Sequence, residues 1–190
     1  MHMEQPLLYF AYGLNLNPVQ MKLKCSEMEI VGVSRLPGYK LAFFEYSPVW
    51  DSAMETLVPD KHSEVWGVLY RLTDYSWEEL DSCEDARIDG TGAYFLYPVE
   101  VYSTDSTTRL AMMYLKSRLG TTTLASSEYM AQVLQGATAQ GLPTPYIEKL
   151  QAIETKPASY PVPRRPAYER SSSCSGSDCE ACSIDCGSDQ

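Results

Sequence analysis

Leu7-Leu8-Tyr9-Phe10-Ala11-Tyr12-Gly13-Leu14-Asn15-Leu16-Asn17-Pro18 sets the frame for the rest of the chain. Leu7–Tyr12 is an unbroken apolar and aromatic run of strand length, and Gly13 ends it. Asn17–Pro18 is a helix start, an N-cap followed by proline at the first helical position, leading through Val19, Met21 and Leu23. A strand that passes through a glycine turn into a helix leaves several N–H groups of the turn without partners. Such groups bind a carboxylate or a developing oxyanion. The same pattern also fits a plain strand-to-helix connection, because turns of this kind are common. Tyr12, Gly13, Leu14, Asn15 and Leu16 therefore form the first candidate site.

Outward from this stretch, strands dominate and helices come late. Glu29–Ser34, Tyr39–Tyr46, Glu64–Leu72 and Tyr94–Tyr102 are β-branched or aromatic runs broken by Gly, Pro and Asp. Arg109–Leu115 pairs with the preceding run across the polar Ser103–Thr108 turn. Thr73 or Asp74 caps a short helix with Trp77 and Leu80 on one face. Ser126 or Ser127 caps a second, with Met130, Val133, Leu134 and Ala137 at helical spacing and Gly141 as its stop. Thr144–Pro145 starts a third, carrying Ile147, Leu150 and Ile153. Strands first, helices later and hairpin-length connections predict an α+β domain: a small curled mixed sheet or β-barrel flanked by a few helices.

Composition bounds the partners. The chain has 190 residues, 15 Lys+Arg against 25 Asp+Glu, and a formal net charge of −10. That balance argues against nucleic acid and against an anionic membrane, which both select clustered cations. No apolar run approaches the ~20 residues of a spanning helix, and no basic flank precedes Leu7, so a membrane segment and a signal peptide are not expected. Two cysteines in the body, Cys25 and Cys83, suit a reducing compartment, and the chain reads as cytoplasmic, a monomer or a homodimer. Three segments follow: a folded domain over 1–155, a proline-rich arm or linker over 156–170, and a disordered Ser/Cys/Asp-rich tail over 171–190.

Three further features carry chemistry. On the helix begun by Thr73 or Asp74, Trp77, Leu80 and Glu84 are separated by three and four positions and share a face. With Trp77 and Leu80 inward, Glu84 is carried inward too, where burial beside apolar groups raises a carboxyl pKa toward the range useful for proton transfer. If the helix has frayed by then, Glu84 is a solvated acid instead. Asp81 falls off that face and reads as solvent-exposed. Tyr12, Tyr94, Tyr114 and Tyr129 sit at element ends or strand centres, and tyrosines supply both walls and hydroxyl donors to a polar pocket. His2 and His62 have no partner at metal spacing, so no metal is expected in the domain. Cys174, Cys179, Cys182 and Cys186 in the tail can hold Zn²⁺ or an iron–sulfur cluster, or serve as redox-sensitive thiols.

Tyr9-Phe10-Ala11-Tyr12-Gly13-Leu14-Asn15-Leu16 resembles the Y-F-A-Y-G-S-N-L signature of the γ-glutamylcyclotransferases (AIG2-like superfamily). Val65-Trp66-Gly67-Val68-Leu69-Tyr70, followed by Leu80-Asp81-Ser82-Cys83-Glu84, resembles that family's V-x-G-V-x-(Y/W)…L-D-x-x-E block. Gly92-Ala93-Tyr94 and the stretch from Gly136-Ala137 through Gly141-Leu142-Pro143 to Ile153-Glu154 are similar to later segments of its glutathione-pathway branch. The resemblance runs in order from Leu7 to Glu154. It implies cyclisation of a γ-glutamyl compound to 5-oxoproline with release of an amino acid or amine and without a cofactor. Glu84 is then the catalytic acid/base, Tyr12–Leu16 hold the glutamyl end, and Tyr94, Tyr114 and Tyr129 line the pocket. It also leaves room for an enzyme dedicated to a γ-glutamylamine or a γ-glutamyl-protected intermediate.

Two departures stand out. Leu14 replaces the signature serine. Glu55, in Met54-Glu55-Thr56, stands where relatives often have a small apolar residue. Glu55 reads either as a surface acid on an edge strand or as a lining residue on the leaving-group side that favours a cationic amine. A non-enzymatic thiol- or metal-binding protein built on the Cys-rich tail is the remaining reading from a different class.

Overall fold

The computed structural model describes residues 7–164. Five strands close into a barrel in the order β1-β3-β2-β4-β5: β1 (Leu8–Ala11), β2 (Met28–Ser47), β3 (Ser52–Leu72), β4 (Tyr94–Ser103) and β5 (Thr108–Lys116). All neighbours are antiparallel except β1 and β5, whose parallel pairing at Leu8↔Ala111 and Tyr9↔Met112 closes the barrel. Around it lie α1 (Pro18–Lys22), α2 (Asp74–Glu84), α3 (Ser127–Ala139) and α4 (Thr144–Gln151). A short parallel pair joins β6 (Ala125–Ser126) to β7 (Thr155–Lys156). The α+β barrel expected from the sequence is the observed architecture.

Local chemistry accounts for the helix starts. The Asn17 side chain accepts from Val19 N–H at 3.0 Å with Pro18 first in α1. Thr73 Oγ1 accepts from Ser76 N–H at 3.2 Å, and Ser126 Oγ from Tyr129 N–H at 3.3 Å. Gly141, in the left-handed region at φ 69°, follows α3 and donates to the Thr138 carbonyl.

The strand reading needs one correction. Glu29–Ser34 and Tyr39–Tyr46 are halves of a single strand, β2, and β3 begins at Ser52 rather than Glu64. Pro37-Gly38 reads as a break in sequence but is a bulge in the ladder: the register shifts between Pro37 and Tyr39, and Gly38 takes φ 81°. A bulge bends and twists a strand without ending it, which a long hairpin needs in order to curl into a closed sheet.

Phe10, Leu16, Met21, Val68, Leu69, Tyr70, Leu80 and Met113 are fully buried and fill the interior and the seam under α2 and α3. Each such large side chain contributes ~1.5–3 kcal/mol of burial. Two glycines permit close approach. A Cβ on Gly67 would lie 2.3 Å from the Ala11 carbonyl oxygen, and one on Gly136 would lie 2.3 Å from Asn17 N. The first lets β3 press on β1; the second seats α3 on the turn that follows β1. After α4 the chain runs back over the β2–β3 turn. Asp51 accepts from the N–H and Oγ of Ser159, both at 2.6 Å, and from Lys156 Nζ at 3.1 Å, while Arg164 N–H donates to the Val49 carbonyl.

Candidate active site

The end of β1 delivers the glycine turn to one mouth of the barrel. Leu14–Leu16 form a single 3₁₀ turn, closed by Leu16 N–H to the Gly13 carbonyl at 2.9 Å and Asn17 N–H to the Leu14 carbonyl at 3.0 Å. Tyr70, from β3 beneath, donates to the Asn15 carbonyl at 3.2 Å. Asn15 is buried, and its side chain is held on three sides. Nδ2 donates to Tyr9 Oη at 2.8 Å and to Glu84 Oε1 at 2.9 Å, and Oδ1 accepts from Lys24 Nζ at 2.8 Å.

Glu84 is the last residue of α2, which ends on Asp85 in the left-handed conformation at φ 47°. The helix therefore persists just far enough for the shared face to hold. Leu80 is fully buried, and Trp77 packs edge-on against Tyr9 with ring centroids 6.0 Å apart. The surroundings of Glu84 differ from the apolar pocket expected. Its Oε1 accepts from Lys24 Nζ at 2.7 Å as well as from Asn15, with only 12% of its side chain exposed. Burial works against the Lys24 ammonium, but the charge and hydrogen bond of Glu84, joined by the Glu55 charge and Cys83, together outweigh it and the lysine pKa is raised.

A cavity of about 20 Å³ lies here, lined by Tyr9, Tyr12, Gly13, Asn15, Glu55, Glu84, Tyr94 and Tyr114. Burial raises the pKa of Tyr9, Tyr12, Tyr94 and Tyr129, and the charges of Glu84 and Glu55 raise them further. All four remain phenols at neutral pH; Tyr12, Tyr94 and Tyr129 act as hydroxyl donors, while Tyr9 Oη accepts from Asn15. Tyr12 donates to the Tyr114 carbonyl, and Tyr94 to the Glu55 carbonyl at 3.0 Å. Beside this cavity, and sharing Glu84 and Tyr94 with it, opens a groove of about 530 Å³ whose walls include Leu14, Tyr46, Trp50, Met54 and Lys116.

The sequence-derived candidates divide as follows. Tyr12, Gly13, Asn15, Glu84, Tyr94 and Tyr114 line the small cavity. Leu14 belongs to the groove wall. Tyr129 reaches the site through its hydroxyl, which donates to Glu55 Oε2. Leu16 is not brought to it: the side chain is fully buried and its N–H is used inside the turn. Asp81 is not the solvated acid expected, for the Tyr114 hydroxyl donates to its Oδ1 at 2.6 Å. It sits four residues after Trp77, on the other flank of the same helical stripe. Glu55 is not a surface acid, for it lines the cavity, although its stretch of β3 pairs only with β2, at Phe43, and β1 meets β3 only at Val68–Arg71. Its Oε1 accepts the Leu14 N–H at 2.8 Å. Tyr9, Lys24 and Lys116 join the site without being among the candidates from sequence. Only Tyr9 had a usable signal, the two-residue alternation that puts it on the same strand face as Ala11.

Among the described residues no group of three or more His, Cys, Asp or Glu is arranged to hold a metal ion. No helix of the described residues is long and apolar enough to cross a membrane. The tail cysteines Cys174, Cys179, Cys182 and Cys186 lie outside the described residues.

Residues 64–150 match the model of the AIG2-like family. The chain is 30% identical over 155 residues to the γ-glutamylcyclotransferase of Homo sapiens, covering 80% of this chain and 80% of the human protein. It belongs to the γ-glutamylcyclotransferase family. The Mus musculus γ-glutamylcyclotransferase is likewise 30% identical, over 154 residues. A solved structure of a γ-glutamyl cyclotransferase superposes with a TM-score of 0.77 at 28% identity, covering 83% of this chain and 94% of that one. The solved cyclotransferase thus shares the fold of this chain.

Proposed function

We propose that the protein is a γ-glutamyl cyclotransferase that closes a γ-glutamyl compound to 5-oxoproline with Glu84 as general acid/base. One observation carries this reading: the acid at the end of α2 and the glycine turn at the end of β1 meet through the Asn15–Glu84 hydrogen bond of 2.9 Å. The substrate brings its own nucleophile, the α-amine, and its own electrophile, the γ-amide carbonyl. Bond formation between them and cleavage of the amide C–N bond give the five-membered lactam and a free amine. Holding the chain folded converts orientation into rate. Glu84 Oε1 is occupied by Asn15 and Lys24, and Oε2 accepts nothing from the described residues. That second oxygen takes the proton from the α-amine and returns it to the departing nitrogen. Asn15 N–H, which has no acceptor among the described residues, stabilises the oxyanion.

The departing group leaves by the groove. Its apolar and aromatic walls, Tyr46, Trp50 and Met54, favour a leaving group with apolar bulk, and Lys116 stands in the same wall over the Tyr94 ring at 4.7 Å. Both body cysteines are free thiols, Cys25 buried and Cys83 exposed, in keeping with a reducing, cytoplasmic setting. The test is release of the lactam from a panel of γ-glutamyl dipeptides, γ-glutamylamines and their α-amides, read as 5-oxoproline or, from the α-amides, 5-oxoprolinamide. Turnover of at least one class supports the assignment, and silence across the panel defeats it.

A further inference from the structure

Glu55 occupies a position for which the cyclisation above has no use. Its Oε1 sits 2.8 Å from the Leu14 nitrogen and its Oε2 takes the Tyr129 hydroxyl. A Cβ on Gly13 would lie 2.1 Å from Glu55 Oε1, so the carboxylate rests directly against the turn. Glu84, by contrast, has Lys24 as counter-charge; among the described residues no ion pair includes Glu55. The cavity that both acids line, about 20 Å³, has roughly the room of one water. The protein therefore supplies from its own chain the anion that the Leu14 amide would otherwise draw from a ligand. The amide of Asn15 is left for an oxyanion.

We infer that Glu55 is a specificity-determining residue whose carboxylate takes the place of a substrate carboxylate on the Leu14 amide. The site then accepts γ-glutamyl compounds whose α-carboxyl group is masked as an amide or ester, and disfavours those that carry it free. This rests on the cyclotransferase reading. A free α-carboxylate would enter as a third acid beside Glu55 and Glu84, in a partly buried space where like charges repel strongly. A masked carboxyl adds no charge, and the substrate's α-ammonium is attracted to the unpaired Glu55.

Binding of the two cyclised products tests this without relying on turnover. The anion 5-oxoproline and the neutral 5-oxoprolinamide are titrated into native, Glu55→Gln and Glu55→Ala protein, each checked for folding by thermal unfolding. Native protein should bind the amide at least about tenfold more tightly than the acid. Glu55→Ala should tighten acid binding by about tenfold or more while moving amide binding less than about threefold. Glu55→Gln, which keeps an acceptor for Leu14 but no charge, should fall between, and carries the comparison if the alanine variant does not fold. Equal affinity of native protein for the two ligands overturns the inference. So does a parallel change for both ligands in the variants, or binding of neither. Failure of the enzyme assignment has a different signature: neither 5-oxoproline from γ-glutamyl compounds with a free α-carboxyl nor 5-oxoprolinamide from their α-amides, whatever the binding preference.

Discussion

Replacing Glu84 by Gln separates charge from shape. Glutamine retains an oxygen that accepts from Asn15 Nδ2 and Lys24 Nζ, bonds of 2.9 and 2.7 Å in the native protein, and loses only the negative charge. Two unit charges 2.7 Å apart attract by ~6 kcal/mol at an effective dielectric of about 20, before either end is desolvated. Desolvation offsets most of that. What remains is a Lys24 ammonium stranded in a site where its side chain is 21% exposed, and the expected loss is ~1–3 kcal/mol. At roughly 2–4 °C per kcal/mol for a chain of this size, Tm falls by roughly 2–12 °C. Lys24→Met added to Glu84→Gln removes the stranded charge and recovers most of the loss. Activity obeys another rule. General acid–base catalysis is worth ~10²–10⁴-fold, so both the single and the double variant lose at least about a hundredfold in kcat. The assay is 5-oxoproline release on the samples whose unfolding is measured. A folded Glu84→Gln protein within tenfold of native kcat would refute the role of Glu84. A double variant that regains activity along with stability would show that the loss was structural.

Tyr114→Phe deletes the 2.6 Å bond to Asp81 and is expected to cost ~1–2 kcal/mol, read from a denaturant midpoint. The Tyr114→Phe/Asp81→Asn pair should cost little more than either change alone, because the two form one unit. Leu14→Ser restores the signature residue; since the observed contribution of Leu14 to the turn is its N–H, kcat/KM should move less than about threefold. Hydrogen bonds from Ser159 hold the Asp51 carboxyl well below the usual carboxylate range. A carboxyl depressed on folding stabilises fully above its unfolded value near ~3.9, and the contribution fades as pH falls through the lower folded value. The Tm difference between native and Asp51→Asn protein should therefore be constant above about pH 5 and shrink on further acidification. Gly67→Ala puts a methyl on the Ala11 carbonyl at 2.3 Å and should destabilise by ~2–3 kcal/mol in the same denaturant experiment.

Local signals in the sequence carried the helix starts and the barrel class well. Asn17, Thr73 and Ser126 cap where their chemistry says they should, and Gly141 lies just beyond α3. The long β2–β3 hairpin was harder to read, because Pro37-Gly38 and Pro59 carry breaker chemistry yet sit at a bulge and within a ladder. Only pairing with the opposite strand decides between a bulge and an end. The same limit governed the site. Glu84 and the glycine turn each had a local pattern, helical spacing in one case and a strand–turn–helix junction in the other. Lys24 had none: it follows a five-residue helix, and it is 60 positions from the acid it neutralises. Asp81 reads as solvated only if the helical stripe is taken as one residue wide; four positions after Trp77, it lies on the stripe's other flank and meets Tyr114. Glu55 reads as a surface acid because nothing near it in sequence announces the glycine turn, 41 positions away, against which it folds.

The closure of the barrel by a four-residue first strand has a bearing on biogenesis. Tyr12 is bonded to Tyr114 across 102 positions of sequence, and β1 meets β5 in parallel through two register pairs. At ~5–20 residues per second of translation, the glycine turn leaves the ribosome ~5–20 s before the strand that fixes it. Until then the turn has neither a roof nor a wall, so no nascent intermediate can bind ligand. Partial proteolysis or a premature stop anywhere before Tyr129 yields a species without the reaction chamber. A site able to bind ligand therefore requires the chain at least as far as Tyr129.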